Sequence, residues 1–201
     1  GVTSYWRVWT GWDGIGTGIK RVFVDTTNYA GGNQNGMAGL DDSCQDRADA
    51  AVLGGSWKAL VSGLNEDDWA VNRIGYNWQK LQRIDGTDVV LEGNIWSTGS
   101  STTALLAPIS QRADGTTYAT TYVKANTTVY GKSNASDDSS YNACSDWSSG
   151  SINEIYGSIQ NGSSGVTSTN WIDNNGYAAA SGYGYNCYSS TAKWTAYCIE
   201  Q

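Results

Sequence analysis

The residues able to do chemistry are few in kind. The chain contains no His, so the commonest general base and the commonest imidazole metal ligand are both missing. It has four cysteines, Cys44, Cys144, Cys187 and Cys198, in a sequence rich in Ser, Thr, Asn and Gly. An even count in that setting points to a secreted protein with paired thiols, which removes a thiolate nucleophile and a thiolate zinc site together. The spacing alone leaves all the connectivities open. What remains is carboxylate chemistry. Glycoside hydrolysis needs two carboxyl groups about 5–10 Å apart across a cleft. Glu66, Asp67, Asp68, Glu92 and Glu154 are available, but no spacing pairs them and they read as a solvated face. The expectation is a protein without catalytic residues or resident metal.

Binding is the better supported chemistry. Tyr156, Asn174, Asn175, Tyr177, Tyr183, Tyr185 and Asn186 lie in a Tyr/Asn/Ser/Gly-rich stretch. Its composition is that of binding loops, with rigid amphipathic Tyr contacts among adaptable small polar groups. The plainer alternative is a polar solvated loop. Sequons for N-glycosylation begin at Asn126, Asn134 and Asn161, and in a glycosylating host each would mark an exposed loop or strand edge. Ten Trp and thirteen Tyr against one Phe suit half-buried walls and interfaces, because each pairs an apolar body with a polar handle.

Positioning these residues falls to one domain, the default for 201 residues. A net charge of −7 argues against nucleic acid or an anionic membrane as partner. No apolar run approaches the roughly 18 residues needed to cross a bilayer. Gly1 opens no signal peptide, so a mature form lacking its leader is expected. Residues 1–20 stand apart: Tyr5, Trp6, Val8 and Trp9 make a β-prone run ahead of several glycines. Such a segment is either an edge strand of its own domain or an arm that pairs with a neighbour's sheet edge.

Residues 21–24 read as a strand and 28–36 as a Gly/Asn turn region. Leu40, Cys44, Ala48 and Ala51 fall at helical spacing, with Asp41 and Asp42 expected in the first turn and Gly54-Gly55 ending the run. Further strands are expected at 57–61, 118–124, 127–130 and 194–199, a second short helix at 66–74, and short apolar segments at 89–91 and 94–96. The stretch 133–190 reads as long structured loops anchored by Trp147 and Trp171.

In order along the chain come Arg21-Val22-Phe23-Val24 with Thr27-Asn28-Tyr29, Gly36-Met37-Ala38-Gly39-Leu40-Asp41 before Cys44, and Gly54-Gly55-Ser56-Trp57-Lys58-Ala59. Asp85-Gly86-Thr87-Asp88-Val89-Val90, Ala107-Pro108-Ile109, Cys144-Ser145-Asp146-Trp147-Ser148 and Tyr197-Cys198-Ile199-Glu200-Gln201 follow. This series, over residues 21–201, resembles a bacterial surface-protein domain of unknown function best known from spirochaete lipoproteins and assigned a C-type-lectin-like fold. The family's usual ending has Phe where Ile199 stands. The resemblance implies an α+β domain with two short helices, small antiparallel sheets and long ordered loops. It also implies nested disulfides, Cys44–Cys198 and Cys144–Cys187, and paired first and last strands.

Calcium-dependent sugar binding on such a fold uses oxygen ligands around a proline and a Trp-Asn-Asp run. The sole proline, Pro108, has no flanking oxygen ligands, and Asn170-Trp171-Ile172-Asp173-Asn174 is only a distant analogue of the run. No cofactor is therefore expected; a structural Ca²⁺ held by Asp and carbonyl oxygens is the lesser alternative. The expected function is extracellular or cell-surface recognition of a protein or glycan through the C-terminal loops. The alternative is a structural subunit that assembles with copies of itself through residues 1–20.

Overall fold

The structure, a computed structural model, describes residues 16–26, 35–74, 78–91, 95–96, 105–118, 122–133, 146, 161–163, 171–172 and 195–201. Strand β1 (Gly16–Asp25) is followed by helix α1 (Gly36–Ala50), β2 (Trp57–Ala59), a 3₁₀ turn (Glu66–Asp68), α2 (Ala70–Ile74), β3 (Trp78–Arg83) and β4 (Asp88–Val90). The short strands β5 (Tyr122–Lys124) and β6 (Asn161–Ser163) pair with each other, and β7 (Ala196–Glu200) returns to the main sheet. That sheet has five strands in the order β2-β7-β1-β3-β4. The class is α+β, as expected. The sheet is mixed rather than antiparallel, because β1 and β3 run parallel while its other pairs are antiparallel. A parallel neighbour needs a long crossover, and the helices between β1 and β3 lie on that connection.

Both faces of the sheet are covered, which is why Val22, Phe23 and Val24 are buried in succession. Alternation sends Val22, Val24, Tyr197 and Ile199 to one face, where they join Leu60, Leu81, Ile95, Trp96, Ile109, Trp171 and Ile172. It sends Phe23, Ala59 and Cys198 to the other, against Leu40, Cys44 and Ala48 of α1. Those α1 residues recur every four positions, one stripe of a helix. Trp171 is the expected anchor, fully buried and tilted against Tyr197 with ring centroids 5.7 Å apart, and the Tyr197 hydroxyl donates to the Trp171 carbonyl at 3.0 Å. Trp147 lies outside the described residues.

Cys198 sits opposite Phe23 of β1 and Ala59 of β2, and its sulfur bonds to Cys44. The last strand is thus inserted between two early ones and stapled to α1. The first and last strands pair, as the resemblance implied, and Cys44–Cys198 forms. Cys144 and Cys187 lie outside the described residues.

Several boundaries move: β2 ends at Ala59 instead of 61, Tyr118 lies outside β5, and 127–130 carries only an isolated bridge from Thr127 to Ser133 in place of the expected strand. Helix α1 begins at Gly36, inside the expected turn region, so Asp41 and Asp42 are not in its first turn. Asp41 acts instead on β2, as described below. Strand β1 is continuous across residue 20, where an arm was expected to meet the domain. Gly16, Ile19 and Lys20 pair with Trp78, Lys80 and Leu81 of the chain's own β3. That portion of the expected arm therefore belongs to the sheet, while Tyr5, Trp6, Val8 and Trp9 lie outside the described residues. The expected second helix is split: Trp69 is extended between the 3₁₀ turn and α2.

A side-chain clamp joins the neighbouring strands β1 and β7. Glu200 accepts from Arg21 Nε at 2.8 Å and Nη2 at 2.7 Å, and Nη2 also donates to the Leu53 carbonyl at 2.9 Å. Such bidentate pairing is the favourable Arg–carboxylate geometry. Gly55 is required beside it, because a Cβ there would lie 2.6 Å from Glu200 Oε1 on a backbone with φ of +77°.

The chain between Cys44 and Cys198 spans 154 residues. By the chain-entropy account, removing that link with Cys44→Ala and Cys198→Ala costs about 5 kcal/mol, read by denaturant unfolding without reductant. Non-reducing peptide mapping should recover Cys44 and Cys198 in one linked species. The Glu200 carboxyl is a pH probe: partial burial pulls its pKa up, but the hydrogen bonds and charge of Arg21 outweigh this and hold it below the usual carboxylate range. Its contribution to stability is present above the unfolded-state pKa of about 4.3 and disappears as pH falls through the lower folded value. Glu200→Gln should lower stability at pH 7 and flatten that part of the acid limb.

Candidate functional site

The carboxylates named from sequence do not form a catalytic pair. Glu66 and Asp67 are exposed on the 3₁₀ turn, and Asp68 accepts from Asn65 Nδ2 on the same turn. Glu92 and Glu154 lie outside the described residues. Asp41, the carboxylate with the most partners on α1, is spent on structure. It takes both Nη2 bonds from Arg73 at 2.7 Å and accepts the Ala59 N–H at 2.9 Å. Among the described residues no group of three or more acidic or cysteine side chains is placed to hold a metal ion.

The described residues build a cleft of about 530 Å³ between the end of β1, the last turn of α1 and the turn at 110–118. That turn is a small hairpin: Gln111 bridges Thr117, the Arg112 N–H donates to the Thr116 carbonyl, and Gly115 has φ of +82°. An Asp-Gly dipeptide followed by Thr favours such reversal, because Asp accepts from backbone two residues on and Gly tolerates positive φ. The hairpin is fixed to β1 where the Val24 N–H donates to the Gln111 carbonyl at 2.8 Å.

Four charged groups line the cleft. Asp25 is buried at its back, 2.6 Å from the Ser43 hydroxyl and 3.4 Å from Arg47 Nε. Asp114 is turned toward its own backbone: the Thr116 hydroxyl at 2.6 Å, then the Thr116 N–H at 2.9 Å, hold its pKa below the usual range, with Arg112 adding a weaker pull. Arg112 lies over the Tyr118 ring, its guanidinium carbon 4.6 Å from the centroid. Its Nε is buried without a hydrogen-bond partner. Phe23, Ala50, Ala51 and Ala113 supply the apolar wall.

Of these residues the sequence named Phe23 and Ala51 as strand and helix positions and none as a site, although Asp114-Gly115 is a readable turn signal that would have placed Arg112 on a hairpin. The expected binding residues Tyr156, Asn174, Asn175, Tyr177, Tyr183 and Tyr185, with Asn186, all lie outside the described residues. Of the sequons, Asn134 is outside them and Asn161 opens β6. Asn126 corrects an expectation. It is fully buried, with Nδ2 donating to the Ser62 carbonyl at 3.1 Å and the Ser133 hydroxyl at 3.0 Å. Attachment of a sugar at Nδ2 would replace one of those donors and needs an exit to solvent that the fold denies.

No protein-family profile matches the chain, and a search of curated proteins returns no match.

Asn126→Ala should cost about 1–3 kcal/mol in denaturant unfolding, because it removes two buried hydrogen bonds and leaves a small void. Mass mapping of the folded protein from a glycosylating host should find the Asn126 peptide bare.

Proposed function

We propose that this chain is a non-catalytic, extracellular or cell-surface recognition domain that contacts a protein or glycan through the Tyr/Asn-rich loops at about 150–190. The reading rests chiefly on one observation. The otherwise polar C-terminal half is tied to the stapled core at separated points, through β6 on β5, through buried Trp171 and Ile172, and through buried Thr195 ahead of β7. Loops held at several points can present rigid aromatic contacts at low entropic cost. The disulfide fits an oxidising compartment. No helix among the described residues is long and apolar enough to cross a membrane.

A C-type-lectin-like assignment belongs to this proposal, together with a second disulfide, Cys144–Cys187, inside the first. It is supported by the pairing of first and last strands, by α1 on one face of the sheet and by the position of the observed disulfide. The relation to spirochaete-type surface domains is a proposal of the same standing.

Tyr177→Ala combined with Tyr183→Ala should abolish binding to the native partner, recovered by affinity capture from the cell surface, and leave the melting temperature unchanged. Undiminished capture would sink the loop assignment. A Cys144 peptide linked to anything other than Cys187 would remove the nested-disulfide part.

One feature favours the second reading, a subunit of an extracellular assembly. Strand β7 covers β1 only from Val22 to Asp25, and the Arg21 N–H is capped by the Glu200 carboxylate. On that side, the described residues supply no strand beside Gly16–Lys20, and Ile19 is 55 % exposed. A segment from another copy could add there. Deleting residues 1–12 separates the readings by light scattering and electron microscopy: loss of polymers alone would put assembly first, and an unchanged monomer would eliminate it.

A further inference from the structure

We propose that the cleft between β1, α1 and the 110–118 hairpin binds a small organic monocarboxylate, with Arg112 as the residue that receives the carboxyl group. This goes beyond recognition by the C-terminal loops, because every residue involved belongs to the sheet, the helix or the hairpin.

Arg112 is the charged group of the cleft that no hydrogen bond engages among the described residues, its only charge interaction there being a weak pull on Asp114. Asp25 is already engaged by Ser43 and Arg47, and Asp114 by Thr116. The Arg112 guanidinium has no hydrogen-bond acceptor among the described residues, yet Tyr118 fixes its plane from one side and its Nε is out of water. The Nε is closed to the cleft as well as to water, so what the cleft offers an acceptor from outside is the terminal N–H groups of the guanidinium. A guanidinium held flat presents parallel N–H groups, and the matching acceptor is a planar, two-oxygen anion.

The surrounding charge selects the valence. Arg47 and Arg112 balance Asp25 and Asp114 across the cleft, and the whole chain carries −7. One added negative charge meets one free guanidinium; a dianion meets two carboxylates and an acidic protein as well. The negative end of α1 is dealt with locally, its Arg47, Ala48 and Asp49 carbonyls accepting from the Ala51, Leu53 and Val52 N–H groups. Phe23, Ala50, Ala51 and Ala113 leave space rather than fill it, so a short hydrocarbon or ring attached to the carboxyl would pack there.

The test uses the full, oxidised chain with sodium butyrate as probe, followed by calorimetry and by NMR shifts at the 110–118 hairpin. Butyrate should bind saturably, with butyramide at least 10-fold weaker and inorganic phosphate also weaker at pH 7. Arg112→Gln should lose at least 10-fold and Arg112→Lys should fall between, since it keeps the charge and loses the fork. Equal binding of butyrate and butyramide, or no change in Arg112→Gln, would overturn the proposal; tighter phosphate would overturn the monocarboxylate assignment. Should Arg112→Gln fail to fold, Ala50→Phe decides: this exposed helix-end position can close the mouth of the cleft. Butyrate binding unaltered by it would equally refute the site. The Tyr177/Tyr183 double variant should bind butyrate normally, so failure of the loop proposal and failure of this one are read separately.

Discussion

Cys198 is the point on which the rest of the structure depends. It stands in the middle of β7 with Phe23 on one side and Ala59 on the other, and its sulfur reaches down to Cys44 on α1. Chain segments from near the start, from the first helix and from the C-terminal strand therefore meet at one residue. Inserting β7 between β1 and β2 demands closure of a loop nearly as long as the chain, an expensive long-range contact. The disulfide offsets that cost by confining the unfolded ensemble, and burial of Tyr197 and Ile199 on the opposite face rewards the insertion.

Once β7 is in place, β2 becomes an edge strand, and α1 and α2 close it. The Trp57 N–H donates to Gln45 Oε1 and the Ala59 N–H to Asp41 Oδ1, the two α1 residues being one turn apart. Arg73 from α2 donates to the Ala59 and Val61 carbonyls while gripping Asp41. The outward backbone of β2 is thus satisfied by side chains and is unavailable to another strand. At the opposite edge the Leu106 N–H takes the Val89 carbonyl. Any strand addition to this sheet is steered by these caps toward the first half of β1.

The same economy explains why the cleft is distinctive. Arg21, Arg47, Arg73 and Arg83 each engage a carboxylate, Glu200, Asp25, Asp41 and Asp85 respectively. In the 83–88 turn, partial desolvation pulls Asp85 up, but the Thr87 N–H and the Arg83 guanidinium overcome it and bring its pKa to about 2. Among the described arginines, Arg112 differs from these four in resting on a tyrosine beside open space instead of on a carboxylate.

Local physics was readable in the sequence wherever a segment's burial follows from its own period. The α1 stripe of Leu40, Cys44 and Ala48, the strand at Val22 to Val24 and the terminal strand around Cys198 were all legible, because a helical period and a short β-prone apolar run are properties of the segment itself. The start of α1 was not, since Asn35 takes a left-handed conformation without a side-chain cap and so leaves no capping signature. The parallel β1–β3 pair, the roles of Asp41 and Arg73, the burial of Asn126 and the cleft at Arg112 were likewise invisible. Each depends on residues brought together from distant parts of the chain, and a one-dimensional pattern contains no record of which partner a backbone edge, a carboxylate or an amide will meet. The sequence by itself determined the class, the stripe that faces the core and the supply of cysteines. Only the tertiary structure decided that β7 lies between β1 and β2, and from that insertion follow the staple, the sealed edge and the two-sided burial of the sheet.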